Sequence, residues 1–348
     1  MIGDIAGAIA RDGPLPLARA MAIAADHYYA SREPFGPAGD FVTAPEISQM
    51  FGELVGLFLA DLWARAGSPS PFLLVELGPG RGTLMADALR ACGHALPAFV
   101  DAAQLHFVER SPRLAALQRQ RFPHAQIHGA FAALPVGLPM LLVANEFFDA
   151  LPISQFERTG AGWALRAVGA DGWDLSTPAN LHFIPPELRD APEGSIHERS
   201  FAGEQLAAAI GRRLAEAGGA ALLMDYGHAG PALGDTLQAL RGGQPADVLA
   251  TLGEADISAH VDFAGLARAA APHAAVFGPV DQGAFLLALG LRARADRLKL
   301  VASLDVRAEI EAAVVRLTAP AAMGRLFKAM ALVAPGWPPP SGFPIVGG

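Results

Sequence analysis

The sequence predicts an α/β fold with a Rossmann-like seven-stranded sheet, and three observations support this prediction. A buried apolar run, Phe72–Leu77, leads into a turn that carries three glycines. From that point apolar strand patterns alternate with amphipathic helix patterns, as a doubly wound sheet requires. A second strand pattern further along ends in an acid, Glu109. Such a chain is expected to bind a nucleotide-like ligand at the carboxyl ends of its strands.

The glycine turn consists of Gly78, Gly80 and Gly82, and Glu76 stands just before it. Glycines at alternate positions let the backbone approach a ligand, and the helix that follows offers free N–H groups. A dinucleotide fingerprint would need a further glycine where this chain has Thr83. The turn resembles instead the first motif of class I S-adenosylmethionine-dependent methyltransferases. An ordinary strand-to-helix turn is the alternative that this motif alone leaves open.

The second predicted strand ends in Glu109. Nucleotide-binding α/β folds place an acid at this point, where it accepts hydrogen bonds from the two ribose hydroxyls. We therefore expect Glu109 to hold the ribose of the ligand. A solvated carboxylate beside Arg110 and Arg113 is the alternative.

Seven strand patterns make up the predicted core sheet, which is the number in a class I methyltransferase. The strand patterns cover residues 72–77, 105–109, 126–128, 140–145, 219–225, 274–278 and 328–334, and the helix patterns 83–92, 112–120, 202–217 and 261–270. The interval between Pro152 and Phe201 breaks the alternation, with hairpin patterns at 155–158 and 163–168 and an extended pattern at 181–184. Because the sheet resumes after it, we interpret this interval as an inserted β-rich lobe.

The N-terminal region is predicted to be helical around a loop. One helix runs from Gly13 towards Tyr29, and prolines and glycines make residues 34–40 a loop. Thr43 and Glu46 have the spacing of a capping box, so a helix should follow and end near Gly67. The predicted division is an N-terminal helical extension 1–70, a methyltransferase core 71–153 and 200–335, an inserted substrate lobe 154–199 and a C-terminal tail 336–348.

Composition limits the classes of partner and compartment. With 348 residues, 52% hydrophobic and 17% charged, the chain is globular and long enough for a large core. Its net charge of −8 argues against nucleic-acid binding and favours a basic peptide partner. Its single cysteine, Cys92, and its scattered histidines predict no metal site. Since no signal-peptide pattern or membrane-spanning run is found, we expect a bacterial cytoplasmic protein without membrane insertion.

Two carboxylates, Glu146 and Asp149, follow the end of the fourth predicted strand at Asn145. Residues at this position of an open α/β sheet face the reactive end of a bound cofactor. Methyl transfer is an in-line displacement, so the protein must align the acceptor and leave it a free lone pair. A carboxylate pair can hold a guanidinium as a fork and free one nitrogen for attack. Glu146 and Asp149 are therefore the predicted catalytic residues; a helix cap and a turn are the alternative.

Eight stretches of the chain share a family pattern, among them GDFVTAPEISQMFGE at 39–53 and NEFFDALP at 145–152. The others are 76–84, 225–227, 235–239, 255–263, 282–286 and 323–328. Together they span nearly the whole chain in one order, and they resemble the MidA family of mitochondrial complex I assembly-factor methyltransferases and their bacterial relatives. The chain departs from the family at 242–245, where a histidine is usual nearby, and at Ser258, where threonine is commoner.

The resemblance implies a protein arginine N-methyltransferase that symmetrically dimethylates a core subunit of NADH-quinone oxidoreductase. It implies that S-adenosyl-L-methionine is bound by Glu76, Gly78, Gly80, Gly82, Thr83, Glu109, Asn145, Ser48 and Gln49. Asp149 would orient the target arginine, and the substrate side would be lined by Asp225, Tyr226 and His260. Residues 43–48 would close over the cofactor; an ordinary capped helix start is the alternative, which the sequence alone slightly favours. A lone histidine such as His260 is also often a satisfied core group.

Two further functions remain open at this point. One is methyl transfer to another nucleophile, such as a small molecule or a side-chain amide. The other is an assembly chaperone that keeps the methyltransferase fold without catalysis. The glycine turn and Glu109 argue against the chaperone, because a scaffold needs no cofactor acid.

Overall fold

The fold is seen in a computed structural model, which describes residues 2–31 and 43–344. Contacts divide the chain into two compact units. The first contains the described residues of Met1–Phe41, Phe148–Ala207 and Gly227–Ala269, and the second those of Val42–Phe147, Ala208–Tyr226 and Ala270–Gly348. The predicted loop at 34–40 lies outside the described residues. The division into extension, core, inserted lobe and tail that the sequence predicts stays a prediction. The two contact-based units have their boundaries at other residues.

The second unit is built on a sheet whose main path contains seven strands, which confirms the predicted fold class. The core strands, counted from first to seventh along the chain, are Phe72–Leu77, Ala103–Val108, Gln126–His128, Met140–Asn145, Gly219–His228, Ala275–Asp281 and Phe327–Val333. Across the sheet they follow the order third, second, first, fourth, fifth, seventh, sixth. The first five are parallel, whereas the seventh is antiparallel to both of its neighbours. The chain reverses direction across the sheet between the first and fourth strands, where open α/β sheets bind their ligands.

The helix Gln49–Arg65 lies close against the helix Thr83–Ala95 because a glycine stands at their contact. A Cβ atom at Gly56 would be only 2.6 Å from Ala88 Cα, a distance that no other residue could accommodate without moving the backbone. This close contact fixes the helix that follows the glycine turn, and with it the turn itself.

The other helices of the second unit surround the sheet. They are Ala44–Ile47, Pro97–Ala102, Pro112–Arg121, the second part of Phe201–Ala217, Gln282–Ala288, Leu291–Lys299, Leu304–Thr318 and Met323–Leu326. The helices predicted after the first, second and fourth strands are confirmed, but those after Gln282 are absent from the prediction. Leu291–Lys299 buries only Leu291 and Ala295, so its sequence has no apolar stripe to reveal it.

The predicted capping box is wrong. Thr43 precedes the short helix Ala44–Ile47, but its side chain makes no cap hydrogen bond to that helix. The chain then interrupts the helix at Ser48, whose Oγ accepts a hydrogen bond from Met50 N at 3.2 Å. The long helix therefore begins after Ser48, because an extended residue with a side-chain acceptor satisfies one of its free N–H groups.

The first unit contains two antiparallel sheets. In the larger, the order is Leu15–Pro16, Gly162–Val168, Ser154–Thr159 and Ile196–Arg199, with Trp173–Pro178 also paired to Gly162–Val168. In the smaller, the order is Gln244–Ala246, Gln238–Arg241 and Asp256–Ser258. The helices are Gly3–Asp12, Leu17–Ser31, Val248–Thr251, Phe263–Ala270 and the first part of Phe201–Ala217. The short strand Val261–Asp262 pairs with residues 227 and 228.

The hairpin expected in the inserted interval is confirmed by the pairing of Ser154–Thr159 with Gly162–Val168. The extended pattern at 181–184 is wrong, because Leu181–Phe183 forms a 3₁₀ turn. Asn180 Oδ1 accepts a hydrogen bond from His182 N at 2.9 Å and starts that turn. A local side-chain acceptor has here overridden an apolar pattern.

Among the described helices of both units, none has the length and hydropathy that crossing a membrane requires.

Candidate active site

Three neighbouring parallel strands of the second unit, the first, second and fourth, end at one edge of the sheet. Leu77 at the end of the first strand is paired with Val108 on one side and with Ala144 on the other. The segments that follow these three strands therefore lie side by side. They contain the glycine turn, Glu109 and the Asn145–Glu146 pair.

The glycine turn requires its glycines. Gly78, Gly80 and Gly82 have φ values of 58°, 53° and 73°, which side chains with a Cβ rarely adopt. A Cβ at Gly78 would also lie 2.8 Å from the ring of Phe147, and one at Gly82 would lie 2.5 Å from the ring of Phe122. The turn therefore presents backbone without side chains at the ends of the strands, with Gly78 partly exposed and Gly80 and Gly82 buried.

Glu76 is the penultimate residue of the first strand and is almost fully buried, at 3% exposure. Burial raises the pKa of its carboxyl to about 8, against a small opposing effect of Arg121. Its Oε2 atom has no hydrogen-bond partner among the residues that the structure describes. A buried oxygen of this kind is costly unless a ligand or water satisfies it.

Glu109 follows the second strand and is fixed by donors from the next helix. Its Oε1 accepts a hydrogen bond from Ser111 N at 2.8 Å, and its Oε2 accepts one from Gln118 Nε2 at 3.2 Å. Burial raises the pKa of the carboxyl, and the hydrogen bonds from Ser111, Gln118 and the backbone of Arg110 counteract that rise.

Gln118 is a residue that the sequence analysis missed. It is fully buried, and its amide donates both to Glu109 and to the carbonyl oxygen of Gly80, the latter at 2.8 Å. One side chain thus connects the glycine turn to the acid of the second strand. No sequence signal marks this role, because Gln118 stands on a polar helix and its partners come from the preceding strand ends.

Asn145 ends the fourth strand, and Glu146 follows it directly. Asn145 is 8% exposed, and its Nδ2 donates to Glu146 Oε1 at 3.2 Å. Asn145 Oδ1 has no hydrogen-bond partner within the described part of the chain. Glu146 has φ 49°, a left-handed conformation that is strained for a residue with a side chain. Such strain is characteristic of residues that a site holds in place for a function.

The segment at 43–48 contacts both of these features. Ala44 N donates to Glu146 Oε1 at 2.9 Å, and Thr83 Oγ1 donates to Glu46 Oε1 at 2.6 Å. Thr83 begins the helix after the glycine turn, so the segment is attached to the fourth strand and to the turn. The predicted residues Ser48 and Gln49 lie where the long helix starts: Ser48 caps it, and Gln49 is its exposed first residue.

Asp225 and Tyr226 end the fifth strand within the second unit. Asp225 is 1% exposed, and its two oxygens accept hydrogen bonds from Phe147 N at 3.1 Å and from Tyr226 N at 3.0 Å. The ring of Tyr226 packs edge-on against Phe327, with centroids 5.4 Å apart. Asp225 therefore holds the backbone that follows Glu146.

Two of the predicted site residues belong to the first unit. Asp149 is 8% exposed, and its carbonyl oxygen accepts a hydrogen bond from Ala259 N at 3.1 Å. His260 N donates to Thr236 Oγ1 at 2.8 Å, and burial lowers the pKa of its imidazole. Asp149 and His260 therefore lie on chain segments joined by a backbone hydrogen bond within one unit.

Comparison with known families decides the class of this site. A family model described as "Putative S-adenosyl-L-methionine-dependent methyltransferase" matches residues 54–280, which is more than half of the chain. The chain belongs to this methyltransferase family.

Curated relatives of the methyltransferase align along most of its length. The Drosophila melanogaster protein named "Protein arginine methyltransferase NDUFAF7 homolog, mitochondrial" is 35% identical over 363 residues, covering 92% of this chain and 82% of the relative. The Danio rerio protein named "Protein arginine methyltransferase NDUFAF7, mitochondrial" is 33% identical over 365 residues, covering 94% and 85%.

A solved structure of similar fold contains the product form of the cofactor. It is a protein from Burkholderia thailandensis bound to S-adenosyl-homocysteine, with a TM-score of 0.82 and 27% identity, covering 97% of this chain and 92% of that one. The methyltransferase described here uses S-adenosylmethionine, as its family model indicates.

The residues at the sheet edge fit that cofactor. The glycine turn offers backbone without side chains, and Glu76 Oε2 and Asn145 Oδ1 are buried acceptors that lack a partner among the described residues. Glu109 stands at the end of the second strand, where a ribose is held in nucleotide-binding folds. When bound, the cofactor supplies an electrophilic methyl group on a sulfonium.

Proposed function

We propose that this methyltransferase is a protein arginine N-methyltransferase. The observation that carries the proposal is the name of its curated relatives, which are protein arginine methyltransferases and are about one-third identical along most of the chain. The corollary is that its substrate is a protein. The overall negative charge of −8 supports a basic acceptor segment.

The proposal assigns cofactor binding to the edge of the sheet in the second unit. The backbone of Gly78, Gly80 and Gly82 is proposed to lie against the cofactor, with Glu109 on the ribose hydroxyls. Glu76 and Asn145 each offer a buried oxygen to its polar groups. Thr83, Ser48 and Gln49 belong to the segments around the turn and stay predicted cofactor contacts; the hydrogen bonds from Thr83 to Glu46 and from Met50 to Ser48 hold the first two in place.

Catalysis is assigned to Glu146 and Asp149. Glu146 is held in a strained conformation at the end of the fourth strand by hydrogen bonds from Ala44 N and Asn145 Nδ2. A carboxylate that is held in this way can accept a guanidinium N–H and localise the positive charge away from the attacking nitrogen. Asp149 stays the second predicted catalytic residue, and Tyr226 and His260 stay predicted substrate-binding residues.

The substrate proposed for this enzyme is a core subunit of NADH-quinone oxidoreductase, methylated symmetrically during assembly. The support is the word NDUFAF7 in the names of the relatives together with the MidA resemblance of the motifs. Those relatives are named as mitochondrial, so the bacterial cytoplasm stays a prediction for this chain. The changed residues at 242–245 are the place where a difference in substrate would be expected.

The test is mass spectrometry of NADH-quinone oxidoreductase purified from cells with and without this gene. We expect one arginine of a core subunit to carry two methyl groups only when the gene is present, with fragment ions that identify the symmetric isomer. A matched strain with Glu146→Gln should lack the modification while the protein still binds S-adenosyl-homocysteine. Methylation of an asparagine, a glutamine or a small molecule instead of arginine would refute the arginine assignment.

A further inference from the structure

The first unit contains a cleft that the cofactor site does not use. It is open to solvent, and all of the residues that line it belong to the first unit. Its apolar wall includes Phe148, Ile153 and Leu266, and its polar wall includes Glu198, His260 and Asp262. We call it the acidic cleft, for reasons of charge given next.

Positive charge inside the acidic cleft is neutralised, whereas its negative charge is in excess. Arg199 lies in the wall but is held by Glu204 through two hydrogen bonds, of 2.6 and 2.8 Å. Burial lowers the pKa of His260, so its ring is neutral at neutral pH. Glu198 and Asp262 remain as further carboxyl groups in the same wall, and because burial raises the pKa of Glu198, the unneutralised charge is mainly that of Asp262.

The two remaining carboxylates differ in how they are satisfied. Glu198 Oε1 accepts hydrogen bonds from Gln155 Nε2 at 2.7 Å and from Thr236 N at 3.1 Å, and its Oε2 accepts one from Thr236 Oγ1. Glu198 is therefore a fixed part of the wall.

Asp262 is different. Its side chain is only 8% exposed, yet its Oδ1 has no hydrogen-bond partner in the described parts of the chain. Arg268 meets the other oxygen at 3.4 Å from a side chain that is 55% exposed, and His228 Nδ1 stays 3.8 Å from Oδ1, beyond hydrogen-bond distance. A buried carboxylate oxygen without a donor is costly, and in the wall of a cleft it can be satisfied by a hydrogen-bond donor of a ligand.

We propose that the acidic cleft binds a basic side chain of the protein substrate, with Asp262 Oδ1 accepting its hydrogen bond. The apolar wall suits the methylene stem of an arginine or a lysine, whose charged head would reach the carboxylate. This inference rests on the proposed function, because a protein substrate is what would supply such a side chain.

The test is a methyl NMR titration of the full-length protein, labelled at isoleucine and leucine methyl groups. The probes are N-acetyl-arginine methylamide and its neutral isostere N-acetyl-citrulline methylamide. Ile153 and Leu266 report from the cleft, and Ile184, buried elsewhere in the same unit, is the internal control. We expect saturable chemical-shift changes of Ile153 and Leu266 with the arginine probe. The apparent Kd from the same titration with the citrulline probe should be at least about fivefold higher.

The substitution Asp262→Asn should abolish the preference for the arginine probe. Asp171→Asn, at an exposed turn of the same unit, removes one negative charge without touching the cleft and should retain it. If Asp262→Asn does not fold, the comparison of the two probes on the natural protein decides alone. Equal shifts with both probes, or shifts at Ile184 without shifts at Ile153, would overturn the proposal. Either result leaves arginine methylation itself untouched, since dimethylarginine is measured separately.

Discussion

Replacing Gln118 with leucine should weaken cofactor binding without unfolding the protein. Leucine fits the buried space, but it removes the donor that reaches Gly80 O at 2.8 Å and Glu109 Oε2 at 3.2 Å. A lost hydrogen bond costs about 1 kcal/mol, and one to a charged group about 1.5 to 3 kcal/mol. Part of that loss appears as lower stability and part as looser placement of Glu109 and the turn. We expect about 1.5 to 2.5 kcal/mol less binding free energy for S-adenosyl-homocysteine, or roughly 10- to 70-fold in Kd.

The assay is isothermal titration with S-adenosyl-homocysteine, followed by steady-state kinetics over a range of S-adenosylmethionine concentrations. Because Gln118 acts on the ribose side of the site, KM for the cofactor should rise while kcat at saturation changes less than about threefold. Gln120→Leu, the same substitution at an exposed position of the same helix, is the control. A folded Gln118→Leu protein with cofactor affinity within about twofold of the control would refute a positioning role for Gln118.

Three further predictions concern buried charges of the second unit. Burial raises the pKa of Glu76 to about 8, so in the ligand-free protein its contribution to stability is present below about pH 4.5 and lost as pH rises through 8. The free energy of unfolding of Glu76→Gln, measured in urea, should therefore rise relative to that of the natural protein between pH 5 and 8. Parallel pH profiles of the two proteins would contradict this. Burial, with a smaller effect of His128, lowers the pKa of His106 to about 4, so the stability of the protein should fall as pH drops from 6.5 towards 4. The variant His106→Gln should lose less stability over this range. The control His94→Gln, at an exposed site, should lose as much as the natural protein. Glu53 is 2% exposed and bonded to Arg294 at 2.6 and 2.9 Å and to Arg90 at 2.9 Å. Its substitution Glu53→Ala should cost about 1.5 to 3 kcal/mol in chemical denaturation, because Arg294 loses its carboxylate partner whereas Arg90 keeps Asp87 at 2.8 Å and both guanidinium groups are partly exposed. A cost below about 0.5 kcal/mol would show that solvent already screens these pairs.

The sheet could be predicted because its strands are encoded locally. Phe72–Leu77 and Met140–Asn145 are buried at every position, and an apolar run marks each of them, interrupted in the first by Glu76 and closed in the second by Asn145. The glycine turn could also be predicted from the sequence, because backbone with positive φ values accommodates glycine without strain.

The remainder depends on contacts between distant residues. Thr43 and Ser48 are both good caps by composition, and only the interruption after Ile47 shows which of them is used. Gln118 looks like one more polar residue of its helix until the strand ends bring Gly80 and Glu109 to it. Tertiary placement, rather than residue type, gives these side chains their roles.

The hydrogen bond between Ala44 N and Glu146 Oε1 has a consequence for the order of events. One oxygen of the carboxylate that the proposed mechanism offers to the substrate guanidinium, Glu146 Oε1, already accepts hydrogen bonds from Ala44 N and from Asn145 Nδ2. A guanidinium that binds at Oε1 competes with Ala44 for that atom, and in that case displacement of the segment strengthens guanidinium binding by the same factor by which the guanidinium loosens the segment. The position of the 43–48 segment and the binding of a guanidinium at Glu146 Oε1 are then thermodynamically linked.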